Sequence, residues 1–148
     1  MFMTPSEITK DNTHTADDPG AVVRRFFEGW SVSKADALAS FDEYFTPDTV
    51  WENVGLITTV GIEEAQALAE NTPPGFETMK VKFIHLVAQG RYVFTERIDD
   101  FYSATGELLM SVRGAGVAEV KNGRIVAMRE YFIPTENPTT PDTPTTGD

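Results

Sequence analysis

Arg97 and Asp99 sit two residues apart in Tyr92-Val93-Phe94-Thr95-Glu96-Arg97-Ile98-Asp99-Asp100-Phe101-Tyr102, whose aromatic and β-branched content otherwise reads as a buried strand. Side chains alternate along a strand, so the pair shares one face, about 6.6 Å apart at ~3.3 Å per residue. That face also carries Val93 and Phe101, and charges among apolar neighbours are costly unless they pair or do chemistry. A second carboxylate, Glu130, lies between Met128 and Phe132 late in the chain, and Trp51 and Asn53 are likewise two apart on one face. Two carboxylates in one apolar pocket separate in pKa: the one held by an arginine stays ionised and the other keeps its proton. Such a pair suits a reaction in which a base deprotonates water while an acid protonates a leaving oxygen. Without chemistry, Arg97 and Asp99 would be an ion pair that sets strand register. Asn53 would then be a buried amide serving a loop, and Trp51 pocket wall.

The elements that must position these side chains begin with helices. Asp18-Pro19 supplies an N-cap and a first-turn proline, followed by Val22, Phe26 and Trp30 on one stripe with Val23 and Phe27 beside it. Ser33 caps a second helix, with Asp36 three residues on, which Pro47 is expected to end. Thr49 to Val54 reads as a short strand and Gly61 to Asn71 as a helix stopped by Pro73-Pro74-Gly75. From Glu77 the period becomes two, with Val81, Phe83, His85 and Val87 on one side. The Arg97 strand follows, then one from Glu107 to Val120, whose Gly114 and Gly116 suggest close packing or bending. The Asn122-Gly123 hairpin leads to a last strand over Arg124 to Ile133. On that strand Met128, Glu130 and Phe132 share one face and Ile125, Ala127, Arg129 and Tyr131 the other; periodicity leaves open which points inward. Helices followed by a meander of long strands give an α+β fold, a curved, largely antiparallel sheet wrapped around the helices with a pocket inside.

Length and charge narrow the field. With 148 residues the chain suits one domain, expected over 18–134. Residues 1–17 and a tail over 135–148 rich in proline and threonine are expected to be disordered. The net charge of −11 argues against nucleic acid and anionic membrane as partners, since both are polyanions. The absence of cysteine excludes a disulfide scaffold, a thiolate zinc site and a cysteine nucleophile. Two histidines, His14 and His85, offer no ordinary metal-ligand spacing, and no cofactor is expected. No secretory signal and no membrane-spanning run are visible, so a soluble, cytoplasmic protein is expected.

Thr95-Glu96-Arg97-Ile98-Asp99, with Met128-Arg129-Glu130-Tyr131-Phe132 and Trp51-Glu52-Asn53, resembles the limonene-1,2-epoxide hydrolase family, a branch of the nuclear transport factor 2-like cone folds. The resemblance runs from about Val23 to Pro134. It implies hydrolysis of an epoxide to a vicinal diol in one step, with Arg97 bridging two carboxylates, Asp99 as acid and Asn53 orienting water. Glu130 stands where the family has its water-activating Asp, and Trp51 where it has the water-holding Tyr. By position Glu130 becomes the base, and Trp51 offers only an N–H donor where Tyr also accepts. His85 matches a family histidine outside the catalytic set and is expected to be a satisfied core residue. Val93, Phe101, Met128 and Phe132 would line the pocket for a small apolar, terpene-like substrate. The resemblance also implies a homodimer through the outer sheet face, where Tyr92, Phe94 and Tyr131 lie. Two other functions fit the same cone: proton transfer of the ketosteroid isomerase or polyketide cyclase kind, and non-catalytic binding of a small ligand.

Overall fold

A computed structural model describes residues 18–135. The expected N-terminal segment, 1–17, and the tail beyond Thr135 lie outside the described residues. Asp18 caps α1 (Pro19–Val32), its carboxylate accepting the Gly20 N–H at 3.1 Å. The predicted stripe of Val22, Val23, Phe26, Phe27 and Trp30 is buried throughout. Ser33 caps α2 (Lys34–Tyr44): its hydroxyl accepts the Asp36 N–H at 3.0 Å and donates to the Asp36 carboxylate at 2.8 Å.

Packing overrides the proline as the end of that helix. The chain leaves α2 at Tyr44 because Phe45 is fully buried, stacked on Phe26 at 5.3 Å and edge-on to Phe41 at 4.9 Å. Pro47 therefore lies inside β1 (Phe45–Asn53), which begins earlier than expected. It is tolerated because the pairing of this strand shifts register between Phe45 and Val50, so no ladder donor is lost. A short β2 (Thr58–Val60), which no alternation announces, pairs with β1, and α3 (Gly61–Glu70) follows.

The meander comprises β3 (Phe76–Gln89), β4 (Tyr92–Ser103), β5 (Leu108–Lys121) and β6 (Arg124–Thr135). Its last hairpin turns on Asn122 and Gly123, with φ of 52° and 76°. Sheet order is β2-β1-β6-β5-β4-β3, antiparallel except that β1 runs parallel to β6. The mixed sheet curves around three helices as an α+β cone of the nuclear transport factor 2-like kind.

The expected core position of His85 is overturned. A bulge between Phe83 and His85 shifts the alternation of β3, so Leu86 turns inward while His85 and Val87 face solvent. The His85 side chain is 73% exposed, with Nδ1 3.1 Å from Glu96 Oε1. Among the described residues, no helix is long and apolar enough to cross a membrane.

Candidate active site

A cavity of about 260 Å³ lies between the helices and the inner face of the sheet. Its wall is largely hydrocarbon: α1 contributes Phe26, Phe27 and Trp30, α3 contributes Leu68 and Ala69, and the strands add Met79, Phe101, Met110, Met128 and Phe132. Leu56 and Ile57, between β1 and β2, also line it and are exposed at 77% and 49%. The few polar side chains that reach this apolar space include the residues singled out by type and spacing.

Register explains how they converge. Thr95 on β4, Gly116 on β5, Glu130 on β6 and Asn53 on β1 are successive cross-strand partners. Arg97 stands one inward position further along β4, opposite Gly114. Its guanidinium spans β5 to reach β6, where Gly116 leaves room for the Glu130 carboxyl and Gly114 for the Phe132 ring. A Cβ at Gly116 would lie 2.8 Å from the Glu130 carboxyl carbon, and one at Gly114 would lie 2.9 Å from the Phe132 ring.

The guanidinium then directs four of its five N–H groups at side chains of the site. Nε and Nη2 donate to the two oxygens of Asp99 at 3.1 and 3.0 Å; Nη1 donates to Glu130 Oε2 at 3.1 Å and to Thr95 Oγ1 at 2.7 Å. The Phe27 ring lies beneath it, 4.4 Å from ring centre to Cζ. Arg97, Asp99 and Glu130 are 1%, 2% and 2% exposed, which makes the triad a buried network of two carboxyl groups on one guanidinium. Burial pushes the Glu130 carboxyl up to about 7; Arg97 pulls it down and Asp99 adds to the rise. Burial opposes the charge of Arg97, yet Glu130 and Asp99 outweigh it and hold the guanidinium above its ordinary value.

Asn53 serves a loop as well as facing the cavity: its Nδ2 donates to the Ile57 carbonyl at 3.3 Å. Trp51 packs on Phe41 and Phe45 and lines the cavity, and its indole N–H is buried with no partner among the described residues. Phe101, Met128 and Phe132 line the cavity as expected; Val93 does not. It is fully buried, one row beyond the Thr95–Glu130 row, paired with Ala118 in the core. The open question on β6 resolves with Met128 and Glu130 inward and Arg129 and Tyr131 outward. Nothing in the sequence marks Thr95 or Phe27 as partners of Arg97, whereas Gly114 and Gly116, expected to mean close packing or bending, do mark a close approach. Gly114-x-Gly116 was the available signal, since glycines two apart leave one face of a strand bare. On the outer face Glu96 pairs with His85 and, at 3.4 Å, with Arg113.

The chain matches the model of the SnoaL-like domain over residues 23–128. A solved M. tuberculosis LEH-like epoxide hydrolase is 28% identical, with a TM-score of 0.64, covering 78% of this chain and 82% of that one. A Shewanella denitrificans structure assigned to a SnoaL-like polyketide cyclase is 10% identical, with a TM-score of 0.65, covering 78% and 90%. A Catenulispora acidiphila protein with a ketosteroid isomerase-like fold, solved with trimethylamine, is 15% identical, with a TM-score of 0.58, covering 74% and 83%. The last two speak to the fold alone.

Proposed function

Because the chain belongs to the SnoaL-like domain family, whose fold carries several chemistries, its reaction must be argued from its own site, and we propose the hydrolysis of an epoxide to a vicinal diol. The observation that supports this reading is Arg97 bound at once to Asp99 and Glu130 inside an apolar cavity. Proton abstraction next to a carbonyl requires one carboxylate and no bridging arginine. One-step ring opening by water calls for a base and an acid at once, which two carboxyl groups in opposite protonation states supply, and a shared guanidinium holds them in place.

Water attacks one ring carbon as a carboxylate takes its proton, and the C–O bond breaks as a carboxylic acid protonates the departing oxygen. Asn53 and Trp51 flank this chemistry. The substrate is a neutral, largely hydrocarbon epoxide. A cavity of ~150 Å³ accommodates benzene, so about 260 Å³ suits a molecule of roughly ten non-hydrogen atoms. The molecule would work as a homodimer joined through the outer sheet face, where Phe94 and Tyr131 are half exposed.

The test is diol formation by the purified protein on a panel of cyclic terpene, aryl and aliphatic epoxides. Asp99→Asn and Glu130→Gln should each lower turnover by about 10²–10⁴-fold with the fold intact. Wild-type-like activity in either, or no turnover of any epoxide by the folded wild type, overturns the proposal. The second outcome would favour proton transfer or ligand binding in the same cavity.

A further inference from the structure

The resemblance makes Glu130 the base and Asp99 the acid. We infer that this chain runs them the other way: Glu130 protonates the epoxide oxygen and Asp99 takes the proton of water, an order that rests on the hydrolase reading above.

Three features of the site point the same way. The first is how Arg97 divides its donors. Asp99 receives the Nε–Nη2 fork on both oxygens, whereas Glu130 receives one N–H, on Oε2. A proton on either Asp99 oxygen would turn an acceptor of a charged N–H into a hydroxyl, weakening a bidentate pair. Glu130 Oε1 faces no donor of the triad, so a proton there costs no contact with Arg97. The second is the setting of Glu130: burial pushes its carboxyl up, with Arg97 opposing and Asp99 adding, which favours its neutral form, although Asp99 is as deeply buried.

The third is the neighbouring strand. Trp51 and Asn53 on β1 pair with Met128 and Glu130 on β6, so both departures from the family pattern fall on one side of the cavity. An indole N–H only donates. It cannot accept a proton from an attacking water, but it can donate to an oxygen that gains negative charge as the ring opens. Trp51 has that N–H buried and unpartnered among the described residues. A protonated Glu130 and a donor-only Trp51 together make the β1–β6 side the place where the epoxide oxygen is received.

The step balances. The oxygen of water bonds to carbon, the ring C–O bond breaks, one proton passes from water to Asp99 and another from Glu130 to the nascent alkoxide. The enzyme is left with Asp99 protonated and Glu130 ionised, and exchange with solvent returns the proton before the next turnover.

Azide separates the two orders, because it opens an epoxide without needing a base. In Asp99→Asn hydrolysis should be lost by about 10²–10⁴-fold while azido-alcohol formation persists near the wild-type rate. In Glu130→Gln azide should restore nothing, and the loss should shrink on a fluoroalkyl-substituted epoxide, whose opened oxygen needs protonation least. Azide rescue of Glu130→Gln instead, or of neither folded variant, overturns the assignment. A readout without turnover stands beside it: an infrared band of a protonated carboxyl at about pH 6 should vanish in Glu130→Gln and remain in Asp99→Asn. The reverse pattern overturns the order even if no epoxide in the panel is a substrate. Failure of epoxide turnover with the infrared pattern as expected would count against the hydrolase reading alone.

Discussion

The proton on Glu130 acts on two observables, because the same carboxyl is buried in the folded protein and reactive in the proposed chemistry. Unfolded, it titrates near its ordinary 4.5; folded, near 7. Its folded value is raised, so the stability it contributes is fully present below about 4.5 and is lost as pH rises through about 7. With Glu130 as acid, kcat/KM falls as pH rises above about 7, whereas a base at this position would make it rise over the same range. Activity and melting temperature should therefore decline together towards alkaline pH, and Glu130→Gln should flatten the melting-temperature trend. Paired pH profiles of kcat/KM and Tm check this. A turnover that climbs through about pH 7 would return the base role to Glu130.

At the level of strands, the site depends on β5 presenting almost nothing to Glu130 and Phe132. Gly116→Ala would drive a methyl into the Glu130 carboxyl group, and the oxygen it meets is the one bound to Arg97 Nη1. A displacement of about 1 Å can cost ~10²-fold in rate, so kcat should fall by that order, with a loss of stability of about 1–3 kcal/mol. Gly114→Ala meets the Phe132 ring instead and should raise KM more than it lowers kcat. Steady-state kinetics and thermal melts of the two variants check this division. These strands also show what a sequence exposes. Strict alternation along β4 put Arg97 and Asp99 on one face, and Asn122-Gly123 announced the last hairpin, because both signals are local. The bulge that turns His85 outward carries no local mark, and Phe45 starts β1 only because Phe26 and Phe41 wait for it. Val93 alternates in phase with Arg97 yet lies one row too deep for the cavity; depth within a fold is not periodic. Leu56, Ile57 and the residues of α3 became cavity wall through tertiary packing, which no spacing encodes.

For the whole molecule, the outer sheet face carries Val87, Tyr92, Phe94, Tyr131 and Ile133 at 40–70% exposure, interleaved with Glu96, Arg113 and Arg129. If two copies meet there, light scattering at micromolar concentration should give about twice the 16.4 kDa chain mass. Phe94→Glu should shift the mass to that of one chain, since it buries an unpaired charge in each copy. Each copy carries −11, so association should strengthen as salt rises and screens that repulsion. A single-chain mass for the wild type at both low and high salt would remove the dimer.

The parallel pairing of β1 with β6, the one such pairing among the described residues, has a consequence for how the protein comes into being. Strands β3 to β6 join neighbours along the chain and can zip up hairpin by hairpin. β1 instead lies beside β6, and its Trp51 and Asn53 must wait for Met128 and Glu130, nearly eighty residues away. Closing so long a loop is the slow kind of contact. A chain growing on the ribosome therefore carries α1 to α3, β1 and most of the meander before the cluster around Arg97 is complete, and the β1–β6 half of that cluster closes only when β6 emerges.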